Sequence, residues 1–316
     1  MLANIAFSLN IVAPMIVFAL IGYILRRLNI LNETFLPQCN KIIFNICVPA
    51  TLIRSIYAAD IGEVFDIRFI LFVSLWTLIS FCAVWFLSTL LVKDRSVISA
   101  FVQGSCRSNV GALAVPLAFS ILGEGAARSA LALAIIIPAY NILCIILLTT
   151  YSQDDGNAKN FKEILLSIIK NPSIISIALS IVLSVSFISL PAFAFSSIES
   201  LAQITMPLVL ICLGANMILT IDRKLKYAIV ASIIKVVAMP LAVIAIAYLF
   251  GFRGNDLVIL MLLNGVATAP AGYVMVVALG GDADVSAKCI ALTTILSTLT
   301  LAIFIFAFTT QGVISV

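Results

Sequence analysis

Long apolar runs separated by short polar turns recur along the whole chain. Most runs hold roughly 20 or more residues, which is the length that a helix needs to cross the hydrocarbon core of a bilayer. The pattern predicts an all-α membrane protein with ten transmembrane helices. We expect these helices at 4–25, 37–58, 68–92, 96–123, 126–151, 172–190, 195–219, 226–250, 256–280 and 285–310.

The composition agrees with a bilayer as the solvent. Hydrophobic residues make up 63% of the 316 residues and charged residues only 10%, whereas a soluble domain carries about 25% charged residues. The net charge of +4 comes mainly from lysines and arginines in the predicted loops, so it does not indicate a nucleic-acid partner.

The residue types needed for common enzyme and metal chemistry are scarce. The chain has no histidine, which removes the commonest proton shuttle and metal ligand. The seven cysteines never form a CxxC pair, and we interpret them as small buried apolar residues. No Ser–His pair, metal cluster or buried acid pair stands out. We therefore expect neither an enzyme nor a bound cofactor.

The basic residues are unevenly shared between the two membrane sides. With ten spans both termini lie on one side, which holds four basic loop residues against twelve on the other. The four are Arg54, Arg68, Arg128 and Arg253. Basic loops stay cytoplasmic, so we expect both termini outside. The compact size favours a bacterial inner membrane.

The two halves of the chain share an interrupted helix. The common order is Asn, Gly, then Pro, as Asn109, Gly111 and Pro116 in the fourth helix and Asn264, Gly265 and Pro270 in the ninth. We infer a first repeat at 1–151, a cytoplasmic linker at 152–171 and a second repeat at 172–316. Because each repeat has five spans, the repeats are expected to be inverted in the membrane.

Proline breaks a helix, and backbone groups freed inside a bilayer must line a cavity or find partners. Interrupted spans at matching positions of two halves therefore predict a binding site at the membrane midplane. The second half-helices are expected to begin at Pro116 and Pro270 and to aim their positive N-terminal ends at one point, which suits an anion. The alternative is a pair of ordinary proline kinks, which the repetition disfavours.

Two basic residues fall within predicted spans. Arg107 lies near the middle of the fourth helix, where it either holds a substrate carboxylate or caps the C-terminal end of the first half-helix. We expect Lys235 in the eighth helix to extend to the membrane surface. No Asp or Glu lies mid-span, which disfavours a proton relay. Sodium bound by carbonyls at the broken helices and uniport both stay open.

A weaker pair of interruptions is formed by Asn45 with Pro49 and by Thr205 with Pro207. The predicted substrate-binding residues are Asn109, Asn264, Arg107, Ser108, Gly111, Pro116, Gly265, Pro270, Asn45 and Thr205.

Several short motifs in a fixed order resemble the auxin efflux carrier family, which includes plant auxin exporters and bacterial carriers of malonate and related organic acids. The resemblance covers the whole chain. Its motifs are the stretch 22–27 with Ile30-Leu31, then Val48-Pro49-Ala50, the stretch 107–116, Lys170-Asn171-Pro172, Met206-Pro207-Leu208 and Leu213-Gly214-Ala215.

The resemblance implies a fold similar to that of bile-acid sodium symporters, in which broken helices 4 and 9 cross. The first two helices of each repeat would form a scaffold and the other three a moving transport domain. It also implies substrate contact at Asn109, Asn264, Pro116 and Pro270, elevator-type alternating access, and a homodimer as one assembly.

Three functions remain at this point. The leading one is a secondary transporter of a small organic anion, such as the dicarboxylate malonate. The second is a sodium-coupled symporter of larger amphipathic anions, and the third is a membrane sensor that binds a ligand without transport.

Overall fold

The computed structural model describes residues 2–32, 34–57, 66–151, 172–185, 190–215 and 222–314, and these residues form helices joined by short turns. The α-helices are α1 Leu2–Arg27, α2 Phe35–Ile42, α3 Val48–Tyr57, α4 Ile67–Leu91, α5 Arg95–Cys106, α6 Val115–Leu122, α7 Ala127–Tyr151, α8 Pro172–Val185, α9 Ala192–Ala215, α10 Leu225–Ile233, α11 Met239–Leu249, α12 Asn255–Gly265, α13 Pro270–Ala278 and α14 Ala283–Thr310. Each predicted span contains helix. The predicted linker 152–171 lies outside the described residues.

The outer surface of the helices is apolar. Along α4, Leu71, Leu75, Phe86 and Leu90 are each more than half exposed, although water would disfavour such a stripe. Within the described residues, five helical runs are long and apolar enough to cross a membrane. The protein is therefore an integral membrane protein, and this stripe faces lipid.

In the described ranges, three short π-helical segments widen the helices just ahead of a proline. They are Ile43–Cys47 before Pro49, Val110–Ala114 before Pro116, and Ile234–Ala238 before Pro240. In each case the proline is the second residue of the α-helix that follows. A wide turn accommodates the missing N–H and the ring of proline, and such turns are frequent at functional sites.

Helices α1 and α9 cross at very short range. A Cβ atom added at Gly22 would lie 2.0 Å from the carbonyl oxygen of Ile211, and one added at Gly214 would lie 1.9 Å from that of Ala19. Only glycine permits this approach of the two backbones. The contact joins the first helix of the chain to a helix of the second half.

The two interrupted helices occupy the centre of the protein. All residues of α5 from Val97 to Cys106 and all residues of α12 from Leu257 to Gly265 are buried. Helices α4, α7, α10 and α14 pack around them. Both α5 and α12 end in the middle of the protein, and their ends build the site.

Candidate functional site

The breaks in the two central helices lie against each other. The backbone N–H of Asn109 donates to the carbonyl of Ala267 at 2.9 Å, and the N–H of Ala269 donates to the carbonyl of Arg107 at 3.0 Å. The residues between these bonds pair as an isolated antiparallel bridge. Each break thus satisfies backbone groups that the other exposes, as a non-aqueous interior requires.

Four helix ends meet at this crossing. Helices α5 and α12 end there with their C-terminal carbonyls, whereas the π segment before α6 and helix α13 begin there with their N-terminal N–H groups. A helix N-terminus favours an anion and a C-terminus favours a cation. The crossing therefore offers a place for a charge of each sign.

The helix after the first break begins earlier than predicted. We expected it to begin at Pro116, but helical backbone resumes at Val110, and Pro116 is the second residue of α6. The π turn between them absorbs the proline, so no second break is needed. In the other half, α13 does begin at Pro270.

Lys235 is fully buried, at 0% exposed, and reaches the crossing. Its ammonium nitrogen donates to Ser108 Oγ at 2.7 Å and also to the carbonyl of Asn264, near the C-terminal end of α12. It thereby contacts both broken helices and takes the place that favours a cation. The prediction that Lys235 extends to the membrane surface is wrong, because its side chain is bonded inward.

Arg107 is also buried, at 8% exposed. Its guanidinium donates to Asn141 Oδ1 at 2.9 Å and to Met275 Sδ at 2.8 Å. Its recorded hydrogen bonds reach neither a carbonyl of α5 nor a carboxylate in the described part of the chain. The guanidinium therefore bonds α7 and α13 rather than the carbonyls that end α5.

The two asparagines that the repeat places in parallel have different environments. Both polar atoms of the Asn264 amide have a partner, because its Oδ1 accepts from Trp76 Nε1 at 2.9 Å and its Nδ2 donates to the Leu260 carbonyl at 2.9 Å. Asn109 is 3% exposed, and its Nδ2 has no hydrogen-bond partner among the described residues. A buried unpaired donor is costly, and it distinguishes Asn109 from Asn264.

A second buried amide lies beside the crossing. Gln103 is 1% exposed, and neither of its amide atoms has a partner in the part of the chain that the structure describes. A Cβ atom added at Gly272 would lie 3.2 Å from Gln103 Oε1 and 3.5 Å from Arg107 Cδ. Gln103 and Arg107 therefore both border the first turn of α13.

A small cavity opens between the crossing and helices α2 and α9. Its lining residues are Asn40, Ile43, Asn109, Ala112, Val209, Cys212, Leu213 and Pro270. Asn109 and Pro270 form its wall on the side of the crossing, and Asn40 is a polar group on the opposite wall. Two of the ten predicted site residues thus line this cavity.

The other predicted residues lie around it or apart from it. Gly111 packs against Leu133 and Val48, and Gly265 lies near Pro240 and Leu301. Thr205 donates to the Cys47 carbonyl at 3.0 Å and joins α9 to the second predicted span. Asn45 is exposed and donates to the Lys41 carbonyl of its own helix, so the structure does not bring it to the crossing.

The sequence analysis did not include Lys235, Trp76, Gln103 or Asn40 in the site. Lys235 could have been included from its spacing, because it precedes Pro240 by five residues, just as Gly111 precedes Pro116. The other three have no repeat partner, and only the packing of helices shows their position.

Nothing in the described residues resembles a metal centre, since no group of three or more acidic, cysteine or histidine side chains comes together there.

The sequence pattern of the membrane transport protein family matches residues 7–305. The chain belongs to this family. The prediction of the auxin efflux carrier family is thereby confirmed, and the protein is a transporter rather than an enzyme.

Two archaeal relatives cover almost the whole transporter. An uncharacterized transporter of Methanocaldococcus jannaschii is 25% identical over 311 residues, which span 94% of this chain and 97% of the relative. An uncharacterized transporter of Methanothermobacter thermautotrophicus is 24% identical over 308 residues, with the same coverage of both chains. Both relatives thus match this transporter along almost its full length.

Replacing Trp76 by Phe should reduce transport modestly. The change keeps the stacking on Phe72 but removes the donor that holds the Asn264 amide. A hydrogen bond of this kind contributes about 1 kcal/mol, so we expect uptake to fall several-fold. Trp85→Phe is the matched control, because Trp85 Nε1 donates to Tyr151 instead. Equal uptake by the two variants would contradict a role of Trp76 at the crossing.

Proposed function

We propose that the transporter carries a small organic anion, and that a carboxylate of this anion binds at the crossing of the broken helices. The single observation that carries the proposal is the charge at the crossing. Arg107 and Lys235 are both buried, and no ion pair of the described residues includes either of them. Buried charges are normally paired, so a transported anion is the natural counter-ion.

On the cavity side of the crossing, several hydrogen-bond donors can bind the carboxylate. Pro270 begins α13 there, and the π segment before α6 begins one residue after Asn109. The N-terminal N–H groups of both helices and the unpaired Nδ2 of Asn109 are donors for carboxylate oxygens. Two buried cations beside the crossing suit a dianion, so a dicarboxylate such as malonate is our first candidate substrate.

Two matching networks at opposite ends of the protein support the inverted-repeat arrangement of ten helices. In the first, Asp66 Oδ1 accepts from the backbone N–H of Arg68 as it caps α4, and Oδ2 lies 3.6 Å from Arg128 in the first turn of α7. In the second, Asp222 Oδ1 accepts from the N–H of Lys224 before α10, and Oδ2 pairs with Lys288 in α14. These are the third and fifth helices of each proposed repeat.

Elevator-type alternating access fits the position of the cavity. In the proposed arrangement α2 and α9 belong to the scaffold, and the crossing belongs to the moving domain. The cavity lies between them, with Asn40 on the scaffold wall and Asn109 on the moving wall. A substrate held there would travel with the crossing and leave the scaffold wall behind.

The sodium-coupled alternative is disfavoured by Lys235. A coupling sodium ion would bind the carbonyls of a broken helix, and the Lys235 ammonium already bonds the Asn264 carbonyl at the end of α12. The fixed cation makes a bound sodium ion unnecessary at this end. We therefore propose transport without sodium coupling, and a sensor without transport remains an outcome of the test below.

We also propose that the transporter resides in the inner, or plasma, membrane with both termini outside. The bias of four against twelve basic loop residues supports this orientation. A homodimer is our proposed assembly, and it rests on the family resemblance alone.

Uptake of labelled carboxylates into proteoliposomes that contain the purified protein tests the proposal. A panel of mono- and dicarboxylates is offered with and without a sodium gradient. We expect saturable uptake of at least one acid, with the same rate in the absence of sodium. Uptake that requires sodium would support the symporter instead. Tight binding of an acid without uptake, from folded protein, would support the sensor.

A further inference from the structure

Two thiols from opposite halves of the chain meet in the wall of the cavity. Cys212 Sγ in α9 donates a hydrogen bond to Cys39 Sγ in α2, and the two sulfur atoms are 3.3 Å apart. Both residues are 3% exposed. Cys212 lines the cavity, together with Asn40, the residue that follows Cys39. A ligand in the cavity would therefore meet Cys212, whose Sγ lies 3.3 Å from Cys39 Sγ.

The separation of the two sulfur atoms selects the kind of atom that they can bind together. With a sulfur–metal bond of about 2.3 Å, sulfur atoms 3.3 Å apart subtend an angle close to a right angle at a shared atom. A linear two-coordinate ion or a tetrahedral zinc ion would need the sulfur atoms farther apart. A right angle suits pyramidal trivalent arsenic, which binds two thiols through single bonds.

We propose that Cys39 and Cys212 form a dithiol site for trivalent arsenicals, and that an arsenical bound there blocks transport. An organoarsenic dihydroxide, R–As(OH)2, reacts with the two thiols. Two As–S bonds form, two As–O bonds break, and two water molecules leave with the thiol protons. Arsenic stays trivalent throughout, so no oxidant or reductant is needed.

The surroundings favour this reaction and explain the block. The reagent is uncharged, so it can enter a cavity with a largely apolar lining such as Ile43, Val209 and Leu213. The bound arsenical would lie at Cys212, in the wall of the same cavity that Asn109 lines. The loss of transport rests on the function proposed above, whereas binding of the arsenical does not.

The test uses the purified full-length protein and phenylarsine oxide, which hydrates to the dihydroxide. Intact-mass measurement should show one phenylarsenic group per chain, released by 2,3-dimercaptopropanol. Cys39→Ser and Cys212→Ser should each lose the group, and the corresponding alanine variants serve where serine impairs folding. Cys82→Ser is the matched control, because Cys82 is the exposed cysteine of α4, and it should keep the group.

Uptake measured on the same samples tests the block. Phenylarsine oxide should reduce the uptake of wild-type protein by about tenfold or more. Addition of 2,3-dimercaptopropanol should restore it. Binding that persists in Cys212→Ser, or no binding to folded wild-type protein, would overturn the dithiol site. Binding without loss of uptake would overturn the block. Wild-type protein that binds phenylarsenic but takes up no acid even before treatment would count against the transport proposal alone.

Discussion

Replacing Lys235 by Met should abolish anion transport and leave the protein folded. Methionine fills a similar volume but removes the ammonium that bonds Ser108 and the Asn264 carbonyl. Loss of one partner of a buried, hydrogen-bonded charge costs about 2–5 kcal/mol in binding. We therefore expect uptake of the acid to fall by about 100-fold or more, measured in proteoliposomes.

Thermal stability distinguishes a role of Lys235 in anion transport from a structural role. Burial of an ammonium without a carboxylate is costly, and an apolar replacement of similar size is often neutral or stabilising. The melting temperature of Lys235→Met in detergent should therefore stay level or rise. Lys226→Met is the matched control, since Lys226 is exposed on the same helix, and its uptake should equal wild type. Near-normal uptake by Lys235→Met would remove Lys235 from the mechanism.

Replacing Asn109 by Ala should also abolish most transport, with no loss of stability. Its Nδ2 has no partner among the described residues, so the folded protein loses no hydrogen bond there. A hydrogen bond to a charged group contributes about 1.5–3 kcal/mol, which predicts a roughly 10- to 100-fold loss of affinity for the acid. Uptake kinetics and thermal unfolding of the same preparation measure both effects.

The comparison with Asn264→Ala makes this prediction sharper. That change removes the acceptor of Trp76 and a bond to Leu260, so it should lower stability by about 1–3 kcal/mol as well as impair transport. Asn255→Ala, at an exposed position at the start of α12, should change neither quantity. Equal loss of stability in Asn109→Ala and Asn264→Ala would contradict the difference between the two asparagines.

The sequence was sufficient for the all-helical class and for the region of the two breaks, but not for the residue at which helix resumes after the first break. Apolar runs as long as 67–91 and 283–310 form helices in a bilayer, because their backbone groups have no other partners there. The Asn–Gly–Pro order in both halves located the residues that cross. The meeting of the two breaks depends on hydrogen bonds such as that from Asn109 to Ala267. Their equivalent positions in the two halves predicted it.

The parts that could not be predicted depend on the local geometry of the helices. A proline can break a helix or be absorbed by a π turn, and the sequence does not distinguish the outcome at Pro116 from that at Pro270. The inward direction of Lys235 follows from the same kind of turn. The repeat also made Asn109 and Asn264 look equivalent, because the Trp76 contact that separates them crosses 188 residues of chain.

A structure of the transporter with its transported acid bound would test the central claim most directly. The account predicts density for a carboxylate at the crossing, within hydrogen-bond distance of Asn109 Nδ2 and of the first N–H groups of α13, in the cavity that Pro270 lines. Density for the acid at a site away from the broken helices, with the crossing unchanged and closed, would contradict it.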